Sequence, residues 1–200
     1  MKRILAVFTI LTLPVMANAG IANTAHNFAD NTSATDRICV FCHVPHNGDA
    51  TAPGLWNRSN PTATMNWGAA SPSLGGTDLS AVTLGAASAR CFSCHDGTQS
   101  VGSVINGGYA SGFTASTTFN ASGELIFSDF LFNAANMAGN HPVSVAVPTT
   151  AADYKAPTSA TLYSGNVECA SCHEPHEATL NPFLRVTVAA SALCLDCHVK

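Results

Sequence analysis

The amino-acid sequence predicts a fold of mostly irregular loops, with a few short helices and one or two short strand pairs, organised around groups bound to the chain. Three observations support this prediction. Only 10% of the 200 residues are charged, against about 25% in a typical globular domain. Segments with helical or strand periodicity are short and are separated by Gly, Ser, Thr and Pro. All eight cysteines belong to four copies of one motif, so each copy has only about 45 of the residues in 20–200 with which to build a core.

The repeated motif is Cys-x-x-Cys-His. The first cysteines are Cys39, Cys91, Cys169 and Cys194, the second are Cys42, Cys94, Cys172 and Cys197, and the histidines are His43, His95, His173 and His198. This is the attachment motif of c-type haem, in which the two thiols bond the porphyrin and the adjacent histidine reaches the iron. The sequence therefore predicts four haem c groups and the fold class of a multihaem cytochrome c, with the chain wrapped around them.

Three other uses of cysteine pairs compete with haem attachment. A disulfide framework suits an exported chain, but it does not explain why a histidine follows every pair. Cys42 and Cys94 are too far apart in sequence for a zinc ribbon, although Cys172 and Cys194 come nearer to ribbon spacing. Thioredoxin-like redox chemistry needs one such pair beside a βαβ pattern, not four. Haem attachment accounts for all twelve residues at once.

The remaining histidines match the number of distal iron ligands needed. They are His26, His46, His141 and His176. One for each of four irons predicts bis-His ligation at every site. Methionine is the competing ligand, and outside the N-terminal segment the chain has only Met65 and Met137. At most two sites could therefore be His/Met.

The positions of the four distal candidates carry further information. His46 and His176 each follow the histidine of a motif by three residues, after a proline. Because a residue one turn later stays on the same side of its own haem, we expect both to ligate a neighbouring haem. His141 must come from a long loop, and His26 could serve an internal haem or reach into a neighbouring molecule. The alternative for each is an ordinary surface histidine.

The first 19 residues have the pattern of a secretory signal peptide. Lys2 and Arg3 precede an apolar run over 4–16, and Ala-Asn-Ala follows at 17–19. The alternative, a membrane anchor, would need about 20 apolar residues. The sequence predicts export to the cell surface or the extracellular space, with the periplasm as the alternative, and no membrane span in the mature chain. The acidic balance of the chain also predicts no nucleic-acid partner.

Residues 20–200 are predicted to form one tetrahaem domain. Two dihaem units around 39–98 and 169–198 look like a duplication, with an insertion around 99–140. Composition predicts loop over 55–84, and short helices near 86–90 and 188–195. Short strands or a hairpin are predicted at 116–119 and 124–127.

Several blocks resemble the multihaem cytochromes of the doubled-CXXCH family. The blocks are residues 25–27, 39–46, 91–98, 140–144, 169–176, 181–185 and 193–198. In haem count and length the chain is also similar to extracellular tetrahaem cytochromes that polymerise into conductive filaments. That resemblance implies a homopolymer with a continuous haem chain and an axial histidine supplied by the adjacent subunit, with His26 as the candidate.

These observations predict outer-sphere electron transfer rather than catalysis, because six-coordinate iron leaves no position for a substrate. The partners would be further copies of the chain, other redox proteins or extracellular acceptors. Three hypotheses remain: a filament subunit, a monomeric periplasmic carrier, and a haem reductase in which one iron lacks its sixth ligand.

Overall fold

The computed structural model describes residues 20–109, 112–180 and 182–200. The predicted signal peptide lies outside these residues and stays a prediction. In these residues the α-helices are α1 (Ala86–His95), α2 (Cys169–Cys172) and α3 (Ala192–Leu195). Within the described residues there are also short 3-10 helices, at Gly20–Asn23, Phe28–Asn31, Cys39–Phe41, Pro72–Leu74, Ser128–Phe130 and Ala189–Ser191. No helix among these residues is long and apolar enough to cross a membrane.

Two antiparallel strand pairs are the only sheets in the described part of the chain. Strand β1 (Thr64–Met65) pairs with β2 (Val82–Thr83), with Thr64 opposite Thr83. Strand β3 (Val145–Ala146) pairs with β4 (Asn166–Val167), with Val145 opposite Val167. The prediction of mostly loops with a few short helices and one or two strand pairs is confirmed.

Two small apolar clusters form the core, and each contains a residue from inside a CXXCH motif. The first packs around Phe92 of the second motif; its buried members are Met65, Trp67, Leu79, Leu84, Ala89, Phe92 and Met137. The second packs around Phe41 of the first motif; its buried members are Phe28, Phe41, Val101, Phe113, Phe119 and Leu125. Each cluster therefore anchors one motif to the rest of the chain.

One local prediction was wrong. The segment 55–84 was predicted as loop, but it contains β1, β2 and a 3-10 helix. It also contributes Met65, Trp67 and Leu79 to the first cluster. These apolar side chains are separated by polar residues, so they form no run that composition could reveal. The short strands or hairpin predicted at 116–119 and 124–127 are present as an antiparallel bridge between Phe119 and Leu125. Hydrogen bonds from the Ile126 N–H to the Thr118 carbonyl and from the Asn120 N–H to the Glu124 carbonyl flank this bridge. The predicted helices near 86–90 and 188–195 are both present as helical turns.

Arg58 joins the second motif to the chain that follows it. Its side chain is 1% exposed, and its guanidinium donates to the carbonyl oxygens of Ser93, Ser100 and Val101 at 2.6–2.9 Å. The guanidinium has five N–H donors, so neutral carbonyl oxygens can accept its hydrogen bonds although the charged group is buried. The contact fixes residues 100–101 against α1.

Asp196 anchors the fourth motif. This buried carboxylate accepts hydrogen bonds from the backbone N–H groups of Thr158, Ser159 and Ala160 and from the Thr158 hydroxyl, at 2.7–3.1 Å. Burial by itself raises the pKa of Asp196, but these hydrogen bonds outweigh it and hold the pKa at about 2. The ionised carboxylate therefore ties the turn at 158–160 to the fourth CXXCH motif.

Asp196→Asn is expected to destabilise the holoprotein by about 2 kcal/mol at neutral pH, because charge-assisted bonds are lost. The pKa is 3.8 without the fold and about 2 within it. The carboxylate's contribution is therefore complete above the higher value and is lost as the pH falls through the lower one. Urea unfolding between about pH 5 and pH 2 measures this, and D196N should show a shallower decline than the native chain. The exposed Asp153→Asn is the matched control; an equally steep decline in D196N would refute the assignment.

Candidate haem-binding sites

Each CXXCH motif adopts one helical turn. The backbone N–H of the motif histidine donates to the carbonyl of the first cysteine in three motifs: His43 to Cys39 at 2.8 Å, His173 to Cys169 at 3.0 Å and His198 to Cys194 at 2.9 Å. The second motif ends helix α1 at His95. Residues three and four apart share one face of a helix. The turn therefore directs both thiols and the imidazole towards the same side, as attachment to one haem requires.

A segment that follows each of the first and third motifs folds back and forms hydrogen bonds with that motif. This returning segment is residues 54–57 at the first motif and residues 182–185 at the third. At the first motif, Val44 donates to the Leu55 carbonyl at 2.9 Å and Asn57 to the Cys42 carbonyl at 2.8 Å. At the third, Glu174 donates to the Phe183 carbonyl at 2.7 Å and Arg185 to the Cys172 carbonyl at 2.9 Å. Leu55 and Phe183 also share a left-handed backbone, with φ of 56° and 58°. The two motifs thus have matching local architecture.

Hydrogen bonds at Nδ1 orient several of the imidazoles. His43 Nδ1 lies 2.6 Å from the Gly54 carbonyl, His173 Nδ1 2.9 Å from that of Pro182, and His141 Nδ1 2.9 Å from that of Pro142. A carbonyl only accepts, so the proton of a neutral ring lies on Nδ1 and the lone pair on Nε2. This is the arrangement that second-shell partners impose on metal-binding histidines.

Glu174 orients His176 in a comparable way. One carboxylate oxygen lies 2.9 Å from His176 Nδ1, and the other lies 2.8 Å from an Arg185 nitrogen. Burial raises the pKa of Glu174, but hydrogen bonds from His176 and the charge of Arg185 lower it further than burial raises it. Sequence reasoning missed this role of Glu174, although the residue stands inside the Cys-His-Glu-Pro-His segment.

Three pairs of histidines that are distant in sequence come together. Ring centroids are 5.9 Å apart for His43 and His176, 6.2 Å for His26 and His95, and 6.2 Å for His141 and His198. Each pair joins one motif histidine to one of the remaining histidines. A metal–imidazole bond is about 2 Å long and the ring centre lies about 1.1 Å further, so two rings on opposite sides of one metal have centres about 6 Å apart. The residues therefore fit a haem iron held between them.

The angles between the paired rings differ from one pair to the next. They are 28°, 68° and 88°. The plane of each ring contains its own bond to the metal, so rings on opposite sides may be rotated freely about that axis. Met65 and Met137, the competing ligands, are instead buried at 0% and 2% exposure within the first apolar cluster.

One motif histidine, His173, and one distal candidate, His46, belong to none of the three pairs. His46 and His173 are both exposed. Among the described residues, neither has ring contact with another histidine. They are the two left over when the three pairs are formed.

His26 is kept neutral by its surroundings. Burial, and after it the charges of three nearby histidines, lower its pKa to about 4. Those histidines are His95, His173 and His176. A neutral ring at physiological pH retains the lone pair that metal binding needs.

The cysteines of successive motifs are neighbours in space. The thiols of Cys91 and Cys169 share a hydrogen bond, which raises the pKa of Cys91 and lowers that of Cys169. Cys42 lies near Cys94; burial first and then this neighbour raise the pKa of Cys42 to about 12. Cys172 lies close enough to Cys197 to interact electrostatically. Cysteines of successive motifs therefore approach one another, and no disulfide joins any two of the eight.

Glu168 fastens the second motif to the third. This carboxylate is 3% exposed and accepts hydrogen bonds from Ser88 of α1 and, at 3.0 Å, from Ser144. The Ser88 hydroxyl in turn accepts from the Cys169 backbone N–H at 3.0 Å. Gly85 leaves room for the contact, because a Cβ there would overlap the carboxylate. Nothing in the sequence marks Glu168 as buried.

Two buried indole N–H donors have no acceptor within the described part of the chain. Within the described residues, Nε1 of Trp56 and Nε1 of Trp67 have no hydrogen-bond partner. Trp56 lies beside His43, with ring centroids 5.7 Å apart. Buried donors in native proteins are nearly always satisfied, and a haem propionate is an acceptor of suitable chemistry.

Comparison with known families supports the motif assignment. Residues 163–200 match the family model of the doubled CXXCH motif. These residues contain the third and fourth motifs. No curated protein matches the chain. The CXXCH motifs indicate covalently bound haem c, and their pairing is consistent with a multihaem c-type cytochrome that transfers electrons.

Proposed function

We propose that this protein transfers electrons by an outer-sphere mechanism through four covalently bound, bis-His-ligated haem c groups, as a subunit of an extracellular filament. The bis-His part of the proposal is supported by three histidine pairs whose ring centres lie about 6 Å apart. When bound, the haems supply the one-electron redox couple. The chain's own residues attach them, orient the axial imidazoles and fix the distances between sites.

The order of the attachment sites supports a continuous path. Cys42 of the first site lies near Cys94 of the second, Cys91 shares a hydrogen bond with Cys169 of the third, and Cys172 interacts electrostatically with Cys197 of the fourth. Glu168 makes the central junction rigid, since it is buried between the helices that carry the second and third motifs. Bis-His ligation and a carboxylate on His176 Nδ1 would keep reduction potentials low.

The filament part of the proposal is supported by the fourth ligand pair. His26 lies against His95 of its own chain, which favours its internal role over the intermolecular one considered from the sequence. The ligand offered to a neighbouring copy is then His46, and the haem that receives it is the one attached at Cys169 and Cys172. Exposed apolar side chains suit burial against other copies, and the most exposed are Val188 at 59% and Leu55 at 54%.

The monomeric carrier is the second candidate, and a specific observation favours it. His176 follows the third motif and meets His43 of the first. Reciprocal exchange would bring His46, which follows the first motif, to His173 of the third within the same chain. A reductase is the third candidate; it requires one iron to keep an open position, and the supply of eight histidines argues against that.

Replacement of His46 by alanine tests the filament against the monomer. We expect the native protein to form filaments by negative-stain microscopy, and H46A to remain as monomers with one high-spin haem. Added imidazole should restore the low-spin spectrum of H46A but not its assembly. The matched control is H141A, which removes another exposed distal histidine paired inside the chain, and which should lose one ligand yet still assemble. Native protein that stays monomeric at high concentration with every haem low-spin would exclude the filament.

A further inference from the structure

We propose that Phe183 is a positioning residue for the axial imidazole of His26, an inference that rests on the proposed ligation of the second haem by His26. The Phe183 and His26 rings stack in parallel, with centroids 4.7 Å apart and an angle of 9° between their planes. The stack fixes the plane of the imidazole, which is the property that a distal ligand needs in order to direct Nε2 at the iron.

His26 depends on this contact because it is held differently from other candidate ligands. His43, His141 and His173 have a carbonyl at Nδ1, and His176 has the Glu174 carboxylate. Among the described residues, no hydrogen bond to the His26 ring takes that place. The ring is bounded instead by Phe183 and by Phe28, whose centroid lies 5.8 Å away at a 50° tilt. Stacking therefore orients the His26 imidazole, as a hydrogen bond at Nδ1 orients the imidazoles of the other four histidines.

Two hydrogen bonds hold the backbone at Phe183 in the conformation that places its ring against His26. Phe183 has a φ of +58°, a conformation that bulky residues rarely adopt. It is held there because its carbonyl accepts from Glu174 at 2.7 Å while the preceding carbonyl, that of Pro182, faces His173 Nδ1 at 2.9 Å. Two consecutive residues thus orient the motif histidine of the third site and the distal histidine of the second.

The first motif provides an internal comparison. Leu55 occupies the equivalent place in the returning segment, with a φ of +56°, and it is 54% exposed. The turn itself therefore accepts an aliphatic residue, and the flat ring is what distinguishes the third motif. Phe183→Leu reproduces the side chain found at the equivalent position and removes the stack while leaving a residue that this backbone tolerates.

The test compares F183L with F183Y in the ferric holoprotein. In F183L we expect one low-spin electron paramagnetic resonance signal to change shape and cyanide to displace one axial histidine about tenfold faster, a factor in keeping with the loss of one aromatic contact. F183Y keeps the flat ring and should behave as the native protein. Ile126→Phe, at a side chain that is 47% exposed, controls for an added ring elsewhere and should leave both readouts unchanged.

The outcomes separate this inference from the function on which it rests. If F183L lowers the thermal midpoint but leaves the spectrum and the cyanide rate as in the native protein, Phe183 is structural only and the inference fails. If F183L does not fold, F183Y with a disturbed spectrum would equally overturn it. His26→Ala tests the ligand itself: an unchanged low-spin spectrum in H26A would remove the proposed ligation of the second haem. A high-spin haem in H26A together with a native spectrum in F183L would reject only the role of Phe183.

Discussion

Replacement of His176 by alanine is expected to convert one of the four proposed ferric haems from low spin to high spin. His176 is 5.9 Å from His43 between ring centres, and its Nδ1 is held by Glu174 at 2.9 Å, so its Nε2 is free to bind the iron of the first site. Loss of the ring leaves that iron five-coordinate, open to water or an added ligand. Quantitative electron paramagnetic resonance of the oxidised protein should assign about one quarter of the iron to the high-spin form.

The neighbouring Glu177→Ala is the matched control for H176A. Glu177 is exposed and has side-chain hydrogen bonds to Thr179, so its loss should leave every haem low-spin. Addition of free imidazole to H176A should refill the vacant position and restore the native spectrum. A fully low-spin spectrum for H176A without added ligand would show that His176 is not an axial ligand and that the pairing with His43 has another cause.

A chain without covalent haem is expected to be largely unfolded. The two apolar clusters have only seven and six buried members, and α2 and α3 have four residues each. Helices of that length are unstable in isolation, and a core this small cannot offset the conformational entropy of the chain. The bonds between histidines and iron form only in the assembled protein, so ligand binding and folding are coupled.

The measurement is the amide NMR spectrum of a chain in which the eight cysteines are replaced by alanine. We expect poorly dispersed resonances and no cooperative thermal transition. The control is C194A/C197A, which removes only the fourth attachment site. It should keep a cooperative transition because the two apolar clusters adjoin the first and second motifs. Sharp, dispersed resonances in the haem-free chain would contradict the account of stability.

Local structure at the motifs was predictable because it depends on neighbours in sequence. A helical turn places the first cysteine, the second cysteine and the histidine on one face, and α1 begins at Ala86 where a short helix was predicted. The crossing role proposed for His176 also followed from local geometry, since the proline bend keeps it from its own haem. The structure places its ring 5.9 Å from that of His43, and the crossing ligation itself stays a prediction.

Contacts that depend on long-range folding were not predictable. The meeting of His26 with His95 requires the N-terminal segment to cross the end of α1, and no pattern in either segment encodes it. Glu168 resembles any exposed acidic residue until the Ser88 and Ser144 hydroxyls enclose it. The core residues of 55–84 are isolated among polar ones, so only the packed structure identifies Met65 and Trp67 as buried.

The electron paramagnetic resonance spectrum of the fully oxidised native protein, integrated against total haem iron, tests the central claim most directly. Four bis-His sites predict that all of the iron contributes low-spin signals, whether the last ligand comes from the same chain or from a neighbouring copy in a filament. A high-spin signal that accounts for one haem or more in each chain would contradict bis-His ligation at all four sites. It would indicate an iron with an open position.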